Sequence, residues 1–274
     1  MINKQIKSCA ELIDAVRGKN PLIHCITNYV TANTVANGLL ALGASPVMAD
    51  SPLDAMEITA RADAVLFNMG TFGKDRCRAM LISGQEAAQS KKPIVLDPVG
   101  AGSTDYRLKN ALQMLRQFRF AAVRGNPAEI SALINASAVT MKTEKGVDSA
   151  AVTTERATEL ARAASEKFSC TVIVTGKTDV VCYKDKCALI SNGVPMMSRV
   201  TGTGCLASGL VAAMCAVTDD YFTAATAAMS LIGAVGEISA KSAAGTGSFS
   251  VGIMDALTNI SGEEFSGMAK IETI

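Results

Sequence analysis

The segment RVTGTGCLASG, residues 199–209, places two glycines and two threonines directly before a cysteine and a long apolar run. If a helix begins here, successive backbone N–H groups at its start form an anion-binding site, because glycine allows the backbone to aim them together. The residues concerned are Gly202, Thr203, Gly204 and Cys205. Such a site would stabilise negative charge on a transferring phosphoryl group. A glycine turn without a ligand is the simpler alternative.

Two other nucleotide-binding motifs are matched only in part. Residues 202–207 fit the pattern G-x-G-x-x-G/A, but a dinucleotide fold places that turn after its first strand, with an acidic residue ending the next strand. Here the acidic pair at 219–220 follows a predicted helix. Gly176-Lys-Thr resembles the end of a P-loop, but Thr171 stands where a glycine is required, and a strand follows. We reject both motifs, although Thr175 remains a candidate for lining a nucleotide pocket.

Two carboxylates follow neighbouring predicted strands. Asp97 precedes the glycine-rich loop PVGAG, and Glu129 lies three residues after Asn126 in the segment NPAE. Converging carboxylates at one sheet edge could hold Mg²⁺, through water molecules because magnesium dehydrates reluctantly. Alternatively, Asn126 and Glu129 form a capping box at the start of a helix. The two interpretations are compatible.

The histidine and cysteine content points away from a zinc site or a cysteine hydrolase. The single histidine, His24, lies in an apolar strand, and a hydrogen-bonded core histidine is the favoured interpretation. The eight cysteines contain no Cys-x-x-Cys pair, so zinc-site spacing is missing. Because the N-terminal residues lack an apolar signal core, we expect a cytoplasmic protein with reduced thiols.

Composition excludes several classes of partner. The chain has 274 residues, 49% of them hydrophobic, a formal charge of +1 and 4% aromatic residues. It therefore lacks the basic surface and the stacking platforms that nucleic-acid binding requires. Of two apolar segments, residues 206–217 are too short to span a membrane and residues 222–235 are interrupted by Thr, Ser and Gly. We expect both to be buried helices.

The apolar pattern predicts an α/β fold in one domain spanning residues 1–274. Short apolar runs alternate with helical periodicity, which is typical of a mostly parallel sheet with helices on both faces. The predicted strands are 22–25, 45–48, 64–67, 94–97, 120–123 and 171–174, the helices 31–42, 74–90, 106–117, 127–134 and 153–167. Residues 180–183 and 186–190 predict an antiparallel hairpin. After residue 204 we expect helices to about residue 263 and then a tail. Ligands of such sheets bind beyond the carboxyl ends of the strands.

Four segments together carry a resemblance that covers nearly the whole chain. They are NPLIHCITNYVTANTVANGLLALGASPVMADSP, LDPVGAG, VRGNPAEI and VTGTGC. With them the chain resembles the ribokinase-like family of small-molecule kinases and, within it, most closely the hydroxyethylthiazole kinases of thiamin salvage. No single one of these segments is specific.

The resemblance implies phosphorylation of the hydroxyl of 5-(2-hydroxyethyl)-4-methylthiazole with ATP and Mg²⁺, by a homotrimer whose active sites lie at subunit interfaces. It also implies roles for individual residues. Those assigned to the thiazole are Asn28, Met48, Gly70 and Gly202. Those assigned to ATP are Arg124 and Thr175, and those assigned to the metal are Asp97 and Glu129. The catalytic group consists of Gly202, Thr203, Gly204 and Cys205.

One position departs from the wider family. Most ribokinase-like sugar kinases have an aspartate as general base where this chain has Cys205, a substitution that the thiazole kinases share. Because phosphoryl transfer depends mainly on positioning and charge stabilisation, we interpret Cys205 as a weak base or a positioning group.

Other functions on the same fold stay open from the residues alone. They are a hydroxymethylpyrimidine or pyridoxal kinase and the ATP-dependent dehydratase of hydrated nicotinamide cofactors. A protein of a different class, a catalytically silent sensor of thiazole or nucleotide, is a further alternative.

Overall fold

The structure, a computed structural model, describes residues 4–135 and 152–274. Nine strands of this part form one sheet in the order β2-β1-β3-β4-β5-β6-β7-β8-β9. Their bounds are β1 Leu22–Ile26, β2 Ser45–Val47, β3 Ala64–Asn68, β4 Ile94–Asp97, β5 Ala122–Gly125, β6 Thr171–Val174, β7 Asp179–Tyr183, β8 Lys186–Ile190 and β9 Ile271–Thr273. Strands β1 to β6 are parallel, and β7, β8 and β9 are each antiparallel to their neighbours. The six predicted parallel strands and the hairpin are confirmed.

Eleven α-helices are described, and they divide between the two faces of the sheet. Their bounds are α1 Lys4–Lys19, α2 Ala32–Leu42, α3 Ala55–Arg61, α4 Lys74–Gln89, α5 Asp105–Gln117, α6 Pro127–Asn135, α7 Thr154–Phe168, α8 Thr203–Cys215, α9 Tyr221–Ala240, α10 Thr246–Asn259 and α11 Gly262–Met268. A short 3-10 helix, Pro195–Arg199, precedes α8. One core lies under α1, α2 and α8 to α11, and the other under α3 to α7. The predicted α/β fold class is confirmed.

Side-chain alternation along the strands supplies both cores. In β3, Ala64 and Leu66 pack into the core beneath α8, whereas Val65 and Phe67 pack into the core on the opposite face. Successive side chains of a strand point to opposite faces, so a strand buried on both sides is apolar throughout. The same alternation decides which strand-end residues face α8.

The two long apolar segments near the end of the chain form α8 and α9, as expected. Residues Leu206 to Cys215 of α8 are buried without interruption. Among the described residues, α9 is the one helix whose length and hydropathy would allow it to cross a membrane, and 89% of its apolar window is buried inside the fold. Both helices therefore serve as core of the α/β structure.

The expected tail after residue 263 is wrong. Helix α11 continues to Met268, and β9 then pairs with β8. The backbone N–H of Lys270 donates to Asn192 Oδ1 at 2.8 Å, and its ammonium group pairs with Glu237 at 2.9 Å. A strand of three residues carries too little periodicity to be recognised from sequence. Its stabilisation comes from covering the open edge of β8.

The expectation that all thiols are reduced is also wrong, because Cys182 and Cys187 form a disulfide bond. The hairpin register places the two residues directly opposite each other on β7 and β8, with Cα atoms 4.2 Å apart. That spacing is typical of a non-hydrogen-bonded antiparallel pair, in which side chains approach closely. The other six cysteines are free thiols.

Two glycines in helices offer a matched test of the packing. A Cβ at Gly233 of α9 would lie 2.7 Å from the backbone carbonyl of Asn192, whereas a Cβ at Gly247 of α10 meets no atom within 4 Å. We expect Gly233→Ala to lower the free energy of unfolding by about 1–3 kcal/mol, because backbone cannot move aside as a flexible side chain can. Gly247→Ala should raise it by up to about 1 kcal/mol through helix propensity. Urea denaturation measures both, and equal effects of the two substitutions would contradict the described packing.

Candidate active site

Three polar side chains form a row across neighbouring strands at the carboxyl edge of the sheet. Asn68 ends β3 and pairs in register with Asp97, which ends β4. Arg124 of β5 completes the row, since Leu96 pairs with Val123 directly before it. All three belong to the strand positions that face α8. The sheet therefore directs an amide, a carboxylate and a guanidinium toward the start of one helix.

The start of α8 has the geometry of an anion site. Gly202 is the N-cap, with a left-handed φ of 93°, and a Cβ there would also lie 3.2 Å from the Thr31 methyl group. The first intrahelical hydrogen bond runs from Leu206 N–H to the Gly202 carbonyl at 2.8 Å. The four N–H groups of residues 202–205 therefore have no intrahelical acceptor. A 3-10 helix precedes this turn, and a strand follows the Gly176 turn, so both motif rejections are confirmed.

The Asp97 carboxylate is buried, with only 1% of its surface exposed. Its Oδ2 accepts hydrogen bonds from Asn68 Nδ2 and Ser208 Oγ, each at 2.8 Å, while its Oδ1 has no hydrogen-bond partner. Burial raises the pKa of Asp97 to about 6, although Arg124 and the two hydrogen bonds oppose the increase. One carboxylate oxygen is thus committed to the protein, and the other is left for a ligand.

Arg124 brings a positive charge between this carboxylate and the helix. Its Nη1 lies 3.7 Å from Asp97 Oδ2, and its Nε is buried without a hydrogen-bond partner. A Cβ on Gly204 would come within 2.9 Å of Arg124 Nη2, so the guanidinium lies directly against the backbone of the first turn of α8. Glycine at position 204 is needed for this close approach. The arrangement combines helix N–H groups with a cation, as a phosphate site requires.

Cys205 lies in the same first turn, and its sulfur accepts two amide hydrogen bonds. Asn68 Nδ2 is 3.3 Å from Cys205 Sγ and Asn28 Nδ2 is 3.4 Å from it. Asn28 also donates to Asn68 Oδ1 at 2.8 Å, and a Cβ on Gly70 would lie 2.6 Å from Asn28 Cβ. The structure thus joins Asn28 and Gly70, both predicted at the substrate, to the predicted catalytic cysteine.

Glu129 forms the capping box and also connects two loops. Its Oε2 accepts from Asn126 N–H at 2.8 Å, while Asn126 Oδ1 accepts from Glu129 N–H at 2.9 Å. Its Oε1 accepts from Gly100 N–H at 2.9 Å, so it also holds the loop after β4. Among the residues that the structure describes, no group of three or more acidic, histidine or cysteine side chains could hold a metal ion. Of the two carboxylates, only Asp97 has an oxygen, Oδ1, that lacks a hydrogen-bond partner and is therefore free to contact a cation. Both oxygens of Glu129 already accept backbone N–H groups.

The remaining predicted residues lie at the same edge with fewer contacts to the row. Thr175 follows β6, and its N–H donates to the Gly125 carbonyl at 3.0 Å, next to Arg124. Met48 follows β2 and is half-buried against the core beneath α8, and no hydrogen bond joins its backbone to the row. Thr203 Oγ1 lies 3.2 Å from the Met197 carbonyl oxygen and 3.3 Å from that of Val200, so its single proton is shared between them and ties the first turn of α8 to the preceding 3-10 helix.

Four residues that support the site were given no role from the sequence, although Asn68 is among the strand-end residues where a site was expected. Asn68 ends β3, so the rule that ligands bind beyond the carboxyl ends of the strands could have given it a role. Ser208 lies one helical turn after Gly204, on the same side of α8. Arg107 of α5 donates to the carbonyls of Met69, Gly70 and Val99 and so joins two strand-end loops, a role without a local sequence signal. Asp179 accepts from Gly176 N–H at 2.9 Å, and burial raises its pKa to about 6.

His24 is a core histidine, as favoured. It lies on the opposite face of β1, where Nε2 is 2.8 Å from the Ala49 carbonyl and Nδ1 is 2.8 Å from Thr59 Oγ1. A carbonyl can only accept, so Nε2 carries the proton and Nδ1 accepts from the threonine. Burial lowers the pKa of His24. The histidine therefore supports the loop after β2 and takes no part in the site.

The buried carboxylate predicts a particular dependence of stability on pH. The folded-state pKa of Asp97 is raised to about 6 from 3.8, so the folded state is penalised once this group ionises. The penalty is absent below pH 3.8 and complete above about pH 6. We expect Asp97→Asn to raise the free energy of unfolding at pH 7.5, by up to about 3 kcal/mol. The gain should shrink toward zero as the pH approaches 4.

Denaturant titrations at several pH values measure this effect. The control is Asp219→Asn at an exposed carboxylate, which should change stability by less than about 0.5 kcal/mol at every pH. An Asp97→Asn variant that is less stable than the parent at pH 7.5 would contradict the assigned burial cost.

Comparisons with known proteins agree with this geometry. The model of the family described as "Hydroxyethylthiazole kinase family" matches residues 13–263. A hydroxyethylthiazole kinase of Methanocorpusculum labreanum is 39% identical over 262 residues, covering 96% of this chain and 97% of that protein. The solved hydroxyethylthiazole kinase structure from Pyrococcus horikoshii superposes with a TM-score of 0.89 at 36% identity, covering 97% and 98% of the two chains.

A more distant solved structure shares the fold alone. A ribokinase-like superfamily protein from Enterococcus faecalis superposes with a TM-score of 0.61 at 12% identity, covering 91% of this chain and 95% of that one. Membership in a family is therefore decided by the family model and the near relatives. This chain belongs to the hydroxyethylthiazole kinase family.

Proposed function

We propose that the chain transfers the γ-phosphoryl group of ATP to the hydroxyl of 5-(2-hydroxyethyl)-4-methylthiazole. One observation carries this proposal. The N-terminal N–H groups of α8, the Arg124 guanidinium and the unpartnered Asp97 Oδ1 converge on one place, with the Cys205 sulfur beside them. Family membership supplies the substrate class, and this convergence supplies the means of stabilising a transferring phosphoryl group.

The phosphoryl group would lie at the start of α8. There the N–H groups of residues 202–205 point at the charge that develops on the equatorial oxygens, and they need no rearrangement because the helix fixes them. Arg124 faces the same space and neutralises phosphate charge. Thr175 lies one residue beyond β6, beside the strand that carries Arg124, and would contact the nucleotide. These side chains bind and orient the donor.

We assign Mg²⁺ to the space in front of Asp97 Oδ1. That buried oxygen lacks a hydrogen-bond partner, which suits a cation, and Glu129 adds a second negative charge close enough to raise the pKa of Asp97. Because both Glu129 oxygens already accept backbone N–H groups, its contribution would pass through water. When bound, the metal neutralises charge on the donor's phosphates.

The acceptor alcohol would approach from the side of Asn28 and Gly70, with Met48 at the pocket margin. Gly202 closes this side of the turn, since only glycine fits its left-handed φ so close to Thr31. The Cys205 sulfur lies between the two asparagines and the phosphoryl position, where it can hold the hydroxyl in line or accept its proton. Either role depends on orientation more than on basicity.

A homotrimer is part of the proposal, and an exposed apolar surface supports it. Tyr29, Val30, Leu53 and Met56 are 75%, 59%, 95% and 55% exposed. They lie in the segments that follow β1 and β2, the strands that lead to Asn28 and Met48. Large apolar side chains exposed near a site are typical of an interaction surface. A second subunit covering it would complete the thiazole pocket.

We also place the enzyme in the cytoplasm, where ATP is supplied.

The substrate assignment is tested by incubating purified protein with Mg-ATP and one alcohol at a time. The panel is hydroxyethylthiazole, hydroxymethylpyrimidine and pyridoxal, and ADP release is the measurement. We expect the highest kcat/KM with hydroxyethylthiazole, by at least about 100-fold over the others, because a polar pocket rejects ligands that leave its groups unpaired. Absence of ADP above background with the thiazole alcohol would refute the proposed function.

The oligomer is tested with a charge in the apolar surface. Light scattering should give about three times the 28.4 kDa chain mass for the parent protein. Leu53→Asp should shift the mass toward a single chain and raise the KM for the thiazole, because a carboxylate at the interface would lose its hydration. The control is Val251→Asp, an exposed valine of α10, which should keep the parent's mass. A parent protein whose measured mass equals that of a single chain would contradict the proposed trimer.

A further inference from the structure

Among the residues that the structure describes, Asn68 is the fully buried side chain whose hydrogen bonds reach both the carboxylate and the thiol of the site. It is 0% exposed, and its Nδ2 donates to Asp97 Oδ2 at 2.8 Å and to Cys205 Sγ at 3.3 Å. Its Oδ1 accepts from Asn28 Nδ2 at 2.8 Å and from Gly70 N–H at 3.0 Å. Each polar atom of the amide therefore has two partners, all of them within the site.

The orientation of this amide is determined by its partners. Gly70 N–H is a donor, so the Asn68 atom facing it must be the carbonyl oxygen, and the NH₂ group must face Asp97 and Cys205. The same reasoning applies to Asn28, whose Oδ1 accepts from Thr31 N–H at 3.1 Å. Its NH₂ group is thereby directed at Asn68 Oδ1 and Cys205 Sγ.

Because two amide groups in fixed positions donate to the Cys205 sulfur, they restrict the direction in which its S–H bond can point. A thiol sulfur has two lone pairs, and the Asn68 and Asn28 amides occupy both. The S–H bond of a thiol, or the third lone pair of a thiolate, is left to point away from both amides. We place the hydroxyl of the acceptor alcohol, once it has passed Asn28 and Gly70, on this free side of the sulfur, next to the N–H groups of residues 202–205 that have no intrahelical acceptor.

We infer that Asn68 is a positioning residue for phosphoryl transfer, which acts by holding the Cys205 sulfur with its free direction toward the acceptor alcohol. The inference rests on the proposed kinase function and deepens it. Asn68 itself is buried behind Cys205 and Asp97, so it contributes to turnover without contributing to the surface that binds substrate.

A double-mutant cycle in kcat between Asn68 and Cys205 tests this. Asn68→Ala should lower kcat by about 10- to 100-fold, as a misplaced group does, while both KM values stay within about 3-fold. Cys205→Ala should lower kcat by about 100-fold or more. In the Cys205→Ala background, Asn68→Ala should lower kcat by less than about 3-fold, because the sulfur through which it acts is gone.

Three outcomes of this cycle would overturn the inference. They are an unchanged kcat in Asn68→Ala, the same loss in both backgrounds and near-parent turnover of Cys205→Ala. Asn68→Ser, which keeps a smaller polar group, serves for the same cycle if the alanine variant folds poorly. Ser83→Ala is the matched control, since it removes a buried 2.6 Å hydrogen bond to Thr59 on the other face of the sheet. It should lower the thermal midpoint and leave kcat unchanged.

A crystal structure of Asn68→Ala gives a readout that does not depend on turnover. We expect the Cys205 side chain to adopt a different rotamer or to occupy more than one. A sulfur in the parent position, in a single rotamer, would overturn the inference even if kcat fell. Failure of the parent protein to turn over the thiazole would refute the proposed function alone, because this structural result would still report on Asn68.

Discussion

The arrangement of the site follows from the burial of one carboxylate at the end of a central strand. Asp97 is enclosed by β3, β5 and α8, and its ionised form is tolerated there because Asn68 and Ser208 donate to one oxygen while Arg124 lies 3.7 Å away. The raised pKa shows that this compensation is incomplete. The second oxygen remains without a partner, so the folded protein maintains an unfavourable group in the place where a ligand's positive charge would stabilise it.

The backbone of α8 completes this environment. Because Gly202 and Gly204 lack side chains, the helix start approaches both Thr31 and the Arg124 guanidinium closely enough to leave its N–H groups facing the row on the sheet. Positive helix end, cation and carboxylate then occupy one small volume. The affinity for a phosphoryl group therefore comes from main-chain atoms as much as from side chains. The helix end, Arg124 and Asp97 already set the charge balance of the site, so the role of the Cys205 thiol is to orient the acceptor alcohol.

Much of this could be predicted from the sequence, for physical reasons that particular residues illustrate. Strands that are buried on both faces are largely apolar, so the strands from residue 22 to residue 174 were recognisable, with the half-buried edge strand β2 the weakest signal. The strand-end rule led to Asp97, Arg124 and Thr175. The capping box at Asn126 and Glu129 depends on local contacts that a four-residue pattern encodes. The roles of Ser208 and Arg107 were beyond reach because they depend on which helix packs beside which loop, and β9 was too short for a periodic signal. The predicted hairpin already placed Cys182 opposite Cys187 across a two-residue turn, but the disulfide was not expected because a cytoplasmic compartment keeps thiols reduced.

The pairing of β9 with β8 has a consequence for synthesis of the chain. The ribosome makes β8 before it makes the four helices α8 to α11, and only then β9. During that interval the outer edge of β8 exposes unpaired N–H and C=O groups, the kind of edge at which nascent chains of different ribosomes associate. Lys184 and Lys186, at the turn of the hairpin and the start of β8, place positive charge at this temporary edge. Charged side chains at an edge strand oppose its pairing with another chain, so this charge would act in the interval before β9 covers β8.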